Sequence, residues 1–239
     1  MNFFTAVNAT PYISNAAPVD IIQTDLLNWL DFSNTSCYPG SGSTATDLKN
    51  ASTFQINGPS FSSTAGGCFD FDGVNDSIYQ SAYSLSGDYS WCAWVNVSTL
   101  PGTTNVGVIS LEQTTSSFAR LIARPDTSPF IFRSRHYAVN ADETTGRNFG
   151  TWWFVVMSHD GDTIRTYVNG SLTASAARTT DMSISNEYLA IGCFSRAGTP
   201  ASFSNFFLGL IGEVHIYNQA LSSTDIEYNF DATKSRYGY

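Results

Sequence analysis

Apolar and polar residues alternate at every second position along much of this 239-residue chain. Successive side chains of a β-strand point to opposite faces, so a period of two predicts strands rather than helices. Residues 89–97 give the clearest case, because Tyr89 and every second residue after it are apolar. Cys92 and Trp94 lie on the other side of this strand. We therefore expect both of its faces to be covered, as in the middle of a sandwich.

Short turns separate the predicted strands. Asp160-Gly161 and Asn169-Gly170 frame a stretch of alternating residues, and tight hairpin turns with positive φ favour these two dipeptides. This arrangement predicts a β-meander. Proline and glycine mark another turn at residues 38–43. Further strands are predicted at residues 26–32, 69–72, 106–111, 119–123, 130–133, 152–159, 163–168 and 188–194.

One helix is predicted, at residues 223–230. Ser222 is a good N-cap, Asp225 follows three residues later, and Leu221 and Ile226 can form a hydrophobic staple. Two prolines and the lack of a sustained period predict an arm over residues 1–24. The sequence thus divides into this arm, one β-domain at residues 25–230 and a tail at residues 231–239.

Composition limits the classes of partner. Charged residues make up 13% of the chain and the formal net charge is −9. An acidic surface repels nucleic acid, so we expect no nucleic-acid partner. No apolar run approaches the roughly 18 residues that span a bilayer, so we expect no membrane insertion. The first residues lack the basic and apolar segments of a signal peptide, which predicts synthesis in the cytoplasm.

The string Gly-Leu-Ile-Gly-Glu-Val-His-Ile-Tyr-Asn-Gln-Ala-Leu-Ser at residues 209–222 is the most informative. It resembles the closing strand and helix cap of laminin-G-like (concanavalin A-like) jelly rolls. Residues 167–170, Tyr-Val-Asn-Gly, and the strand at 188–194 resemble the same family in the expected order. The resemblance implies an all-β, two-sheet antiparallel jelly-roll sandwich with a short C-terminal helix.

Two further strings point to a context. Tyr-Pro-Gly-Ser-Gly at residues 38–42 and Asn-Phe-Asp-Ala-Thr-Lys-Ser-Arg-Tyr-Gly at residues 229–238 resemble laminin-G-like proteins encoded by bacteriophages and other viruses. This implies a virion structural protein, either a capsid decoration or a head or tail appendage. The arm and tail would dock onto capsid or tail proteins or other copies of the chain, with the sandwich facing host glycans. The alternative is a soluble carbohydrate-binding lectin.

Catalytic patterns are missing from the sequence. Jelly-roll glucanases carry Glu-x-Asp-x-x-Glu on one strand, and retaining glycosidases need two carboxylates about 5 Å apart. Here the glutamates are scattered, and no nucleophile motif surrounds any serine. We expect His159 and His215 at the surface or as satisfied edge residues, and we assign no catalytic residue, which also disfavours a polysaccharide depolymerase. The residues considered were Glu112, Glu143, Glu187, Glu213, Glu227, His136, His159 and His215.

Calcium is the metal that the resemblance suggests, because laminin-G-like domains often hold this ion at the rim. Oxygen-rich turns suit it, and the candidates are Asp72, Asn75, Asp76, Asp160 and Asp162. In the family's closing strand an aspartate usually stands where this chain has Gly212, which leaves only Glu213. We therefore assign no metal and no cofactor.

Cysteines and aromatic residues leave alternatives open. Cys37, Cys68, Cys92 and Cys193 lack metal-ligand spacing, and we expect reduced, buried thiols; one disulfide on a particle surface is the alternative. Six aromatic side chains could either stack on sugar rings or fill the core, and exposure decides between these roles. They are Trp29, Tyr79, Tyr83, Tyr137, Trp152 and Trp153.

Overall fold

The computed structural model describes residues 20–99, 105–114, 117–125, 129–196 and 199–239. Most of the predicted arm at residues 1–24 therefore lies outside the described residues. In chain order the strands are β1 (Leu26–Asp31), β2 (Thr44–Thr46), β3 (Thr53–Asn57), β4 (Ser60–Ser62), β5 (Cys68–Asp72), β6 (Ser77–Gly87), β7 (Tyr89–Val97), β8 (Val106–Thr114), β9 (Ser117–Arg124), β10 (Ile131–His136), β11 (Val139–Asp142), β12 (Trp152–His159), β13 (Thr163–Val168), β14 (Ser171–Ala177), β15 (Met182–Ile191) and β16 (Leu208–Tyr217).

The strands form two antiparallel sheets packed face to face. The first sheet has the order β14-β13-β12-β7-β16-β5-β4, and β1 also pairs with β16. The second has the order β11-β10-β9-β8-β15-β6-β3-β2. Strand β16 pairs with β7 along one edge, and its other edge pairs first with β5 and then with β1. The predicted jelly-roll sandwich with a short C-terminal helix is confirmed.

Apolar side chains from both sheets fill the space between them. Trp91 and Val95 of β7 belong to the same core cluster as Leu121 of β9 and Phe132 of β10. All four cysteines are buried and free, as expected. Burial raises the pKa of the Cys68 thiol to about 11, so this thiol stays protonated at neutral pH.

The C-terminal segment covers the outer face of the first sheet. Helix α1 (Ser223–Thr233) begins with the predicted capping box of Ser222 and Asp225, but it ends three residues later than predicted. A 3-10 turn at Lys234–Tyr237 follows. The predicted tail thus packs on this chain's own sandwich, with Tyr237 buried against it. Within the described residues, no helix has the length and hydropathy needed to cross a membrane.

Trp94 joins this segment to β7. Its ring stacks on Tyr237 with centroids 4.1 Å apart and lies 5.7 Å from the ring of Phe230. Its Nε1 donates a hydrogen bond to Thr233 Oγ1 at 2.7 Å. The covered second face predicted for residues 89–97 is therefore built by the C-terminal helix and turn.

We expect Trp94→Ala to lower the free energy of unfolding by roughly 3–5 kcal/mol, because it removes a fully buried ring and leaves a cavity. Chemical denaturation measures the change. Tyr228→Ala is the control, since Tyr228 on the same helix is 46% exposed and its loss should stay within about 0.5 kcal/mol. A loss below about 1 kcal/mol for Trp94→Ala would show that the segment does not pack on Trp94 in solution.

Candidate functional site

Glu213 is a buried carboxylate on which three parts of the chain converge. Trp29 Nε1 donates to its Oε1 at 2.9 Å, and His215 Nε2 lies 2.9 Å from the same oxygen. Arg236 Nη1 lies 3.6 Å from Glu213 Oε2 and 2.5 Å from Asp31 Oδ1. Burial alone would raise the pKa of Glu213, but the hydrogen bond from His215 and the charges of His215 and Arg236 outweigh it and lower this pKa. Glu213 is therefore held as a carboxylate.

A cavity of about 460 Å³ opens beside this cluster, and its lining includes Trp29, Asp31, Glu213 and Arg236. Three carboxylates, those of Asp20, Asp31 and Glu213, line this cavity, and paired carboxylates beside a cavity resemble the outline of a glycosidase site. Glycoside hydrolysis, however, needs one carboxyl with a raised pKa to act as general acid. Glu213 has a lowered pKa instead, and Arg236 engages the carboxylates of Glu213 and Asp31, while Asp20 is exposed. The contacts of Arg236 with Glu213 and Asp31 therefore fix the C-terminal turn against the sheet, which suits a structural role better than acid catalysis.

The surroundings of Gly212 explain why this closing strand lacks the aspartate that is usual in the family. A Cβ atom at this position would lie 2.6 Å from the hydroxyl oxygen of Tyr237. The carbonyl oxygen of Gly212 also accepts a hydrogen bond from Arg236 Nη2 at 3.0 Å. The space that a side chain would fill is thus taken by the C-terminal turn, so glycine permits the turn to close on the sheet.

The oxygen-rich turns cap their own backbones. Asp76 is buried, and its Oδ2 accepts a hydrogen bond from the amide of Asp72 at 2.8 Å. Asp160 accepts from the amide of Thr163 at 2.9 Å and pairs with Arg165 at 2.7 Å. Across the described ranges, no three His, Cys, Asp or Glu side chains are grouped so that they could hold a metal ion.

The histidines lie deeper than the sequence predicted. His159 and His215 are both buried, so the surface alternative is wrong. Neither lies on an edge strand of its sheet, although both ring nitrogens of His159 do have hydrogen-bond partners. His159 Nε2 is 2.8 Å from the carbonyl oxygen of Arg178, and its ring stacks on Tyr89. His136 faces the same interior and lies 4.5 Å from His159 between ring centroids. These contacts give His159 and His136 a packing role.

Exposure divides the six candidate aromatic residues. Tyr83 is buried, and its hydroxyl donates to Asn28 Oδ1 at 2.7 Å, which excludes it from sugar stacking. Trp29 and Trp152 pack in the cluster beneath the C-terminal segment. Tyr79 is half-buried against Tyr188 and Phe203 on the outer face of the second sheet. The remaining two, Tyr137 and Trp153, are half-buried beneath the guanidinium groups of Arg178 and Arg147, respectively.

The outer face of the second sheet carries a group of arginines that the sequence analysis missed. Core residues alternate with them, so Arg120 and Arg124 of β9 and Arg133 and Arg135 of β10 all point away from the core between the sheets. Arg120 is itself buried on that face, and the other three are partly exposed. The guanidinium of Arg120 lies 3.9 Å from the ring of Phe118. The period-two spacing within each strand was a visible signal, but only strand pairing places the two pairs side by side.

Comparison with known proteins defines the family. The model described as the Concanavalin A-like lectin/glucanases superfamily matches residues 72–227, more than half of the chain. The chain belongs to this superfamily. A search of curated proteins found no match for this concanavalin A-like domain.

Solved structures share its fold at low identity. Domain 4 of AbnA, a GH43 extracellular arabinanase from Geobacillus stearothermophilus solved with arabinotriose, is 18% identical with a TM-score of 0.65. The match covers 87% of this chain and 98% of that domain. Trypanosoma rangeli sialidase, solved with sialic acid, is 17% identical with a TM-score of 0.67. That match covers 92% of this chain but only 35% of the sialidase, so the concanavalin A-like domain corresponds to about a third of that enzyme.

We expect Asp76→Asn to stabilise the domain at pH 7 and to have little effect near pH 3. Burial, followed by the charges of Asp72 and Asp70, raises the pKa of Asp76. A raised pKa means that ionisation costs stability, and this cost appears as pH rises above the unfolded value of about 4. Asparagine keeps an acceptor for the Asp72 amide. Denaturation at both pH values checks this, with exposed Asp162→Asn as control; an equal gain at both pH values would contradict it.

We expect Gly212→Ala to cost about 1–3 kcal/mol, because its Cβ would overlap the hydroxyl of Tyr237. A double-mutant cycle with Tyr237→Phe measures the cause, since the smaller ring lacks that oxygen and should recover part of the loss. Gly212→Asp, which restores the family carboxylate, should cost at least as much. An additive cycle would show that the clash with Tyr237 is not responsible.

Proposed function

We propose that this concanavalin A-like domain binds carbohydrate without cleaving it. The observation that supports this proposal most directly is a difference between the two outer faces of the sandwich. The C-terminal segment covers the outer face of the first sheet, whereas the second sheet keeps Arg124, Arg133 and Arg135 partly exposed on its outer face. A few precisely placed polar groups fix the orientation of a bound ligand. The arabinotriose bound to the similar arabinanase domain supports this proposal.

Three buried glutamates support a role without catalysis. Glu112 is paired with Arg120, and Glu143 with Arg147 at 2.8 Å. His215, and after it Arg236, lower the pKa of Glu213 and hold it ionised. The lowered pKa of Glu213 disfavours it as a general acid. Burial raises the pKa of Glu143, but its carboxylate accepts hydrogen bonds from the amide of Phe132 and from Arg147, so it too is held by structural partners. We therefore propose that the chain is not an enzyme.

We further propose that the domain is a virion structural protein, made in the host cytoplasm and carried as a capsid decoration or a head or tail appendage. The resemblance of residues 229–238 to phage proteins supports this role. In the structure, Asn229 and Tyr237 of that string pack on this chain's own sandwich. The arm at residues 1–24 is therefore the segment that we propose docks onto capsid or tail proteins or neighbouring copies.

Two measurements test these roles separately. On a glycan array, we expect the purified chain to retain a subset of glycans, and mass spectrometry should show those glycans intact after incubation. In gradient-purified parent particles, we expect this chain at a fixed ratio to the major capsid protein. Absence from particles would overturn the virion role and leave a soluble lectin. Absence of any glycan binding would overturn the carbohydrate role, and cleaved glycans would show an enzyme.

A further inference from the structure

Positive charge is concentrated on one part of this acidic chain. The sequence has nine arginines and a formal net charge of −9. Four of the nine lie on the outer face of β9 and β10, and we call Arg120, Arg124, Arg133 and Arg135 the arginine cluster. Glu112 and Asp142 pair with three of them. The described part of this face therefore has more positive than negative side chains.

Arg120 and Arg135 lie directly opposite each other across the two strands, an arrangement of like charges that destabilises a sheet. Arg120 is balanced by two hydrogen bonds to Glu112, at 2.8 and 2.5 Å. Arg135 makes no ion pair within the described residues. Its Nε donates to the carbonyl oxygen of Tyr137 at 3.0 Å, and its guanidinium lies 5.0 Å from the ring of Phe118.

The environment of Arg135 disfavours its positive charge. Burial, followed by the charges of Arg120 and Arg133, lowers its pKa, and the charges of Glu112 and Asp142 offset this only in part. An anion placed beside Arg135 would offset these repulsions and would complete the hydrogen bonds of its two terminal nitrogens. Charge-assisted hydrogen bonds from arginine to carboxylate or sulfate-like groups are among the strongest in proteins.

We propose that the arginine cluster binds the carboxylate or sulfate group of an acidic glycan, with Arg135 as the main contact. This rests on the proposed carbohydrate-binding function and names its ligand class.

Neighbouring groups favour a sugar as the bearer of that anion. Arg133 Nη1 lies 3.4 Å from Asn105 Oδ1, and the Asn105 carbonyl oxygen accepts from Asn205 Nδ2 at 2.9 Å. Arg196 Nη2 lies 3.4 Å from Asn205 Oδ1. Amide and guanidinium groups of this kind can hydrogen-bond sugar hydroxyls. A nucleic acid would extend over the acidic remainder of the surface, where its phosphates are repelled.

Isothermal titration with three probes tests the proposal: 3′-sialyllactose for a carboxylate, a sulfated heparin tetrasaccharide, and neutral lactose. Arg135→Gln should weaken binding of the acidic probe about tenfold, the loss of one charge-assisted hydrogen bond. Arg135→Lys should lose less, because it keeps the charge. The matched control is Arg165→Gln, which removes an arginine of β13 paired with Asp160. Thermal unfolding verifies that each variant is folded.

The outcomes separate this proposal from the broader function. Loss of acidic-probe binding in Arg135→Gln but not in Arg165→Gln supports both the carbohydrate-binding function and the assignment of Arg135 as the main contact. If the chain binds glycans, on the array or in titration, equally well with and without Arg135, the assignment of Arg135 is overturned and the carbohydrate-binding function stands. Equal losses in both variants would indicate diffuse electrostatics and also overturn it. Tighter binding of a single-stranded oligonucleotide than of either acidic probe would overturn the ligand class. No glycan binding at all would overturn the carbohydrate function itself.

Discussion

The ionised, buried carboxylate of Glu213 constrains the closing of the fold. A buried charge without partners costs several kcal/mol, so Trp29, His215 and Arg236 must all be in place around it. Because Arg236 follows helix α1, this requirement fixes the C-terminal turn against β1 and β16. Gly212 is a consequence of the same constraint, since a larger residue would exclude Tyr237.

Closure by that turn gives the two sheets different roles. Trp94 and Phe154 of the first sheet would be exposed without α1, and their rings instead pack beneath Phe230. The helix therefore completes a second core on the outer face of the first sheet. This coverage makes the first sheet an unfavourable place for a ligand. On the outer face of the second sheet, Phe118, Arg120 and Ile122 of β9 are also buried. Arg133 and Arg135 of β10 stay partly exposed, so β10 is where a partner can reach this face.

Local sequence patterns predicted the strands and the helix. The features that these patterns missed depend on contacts between residues far apart in the sequence. Alternation placed Trp94 correctly on a second covered face, and the capping box placed the start of α1. The helix end was missed because Thr233 is held by a contact with Trp94, 139 residues earlier. His159 and His215 were misplaced for the same reason. A period of two shows that a residue lies on one face, but tertiary packing decides whether that face is covered.

The arginine cluster could not be predicted from the sequence for a related reason. Arg120 and Arg135 belong to separate strands, and only the register of β9 and β10 sets them opposite each other. Stability alone would favour a residue of opposite charge at one of these positions. The domain does place such a partner, Glu112, but it pairs directly with Arg120, and its charge offsets the repulsion at Arg135 only in part. Local rules of sequence and structure are most often broken at functional sites. Arg135 makes no ion pair among the described residues of this strongly negative chain, which is such a break, and its side chain is partly exposed on the outer face of the second sheet.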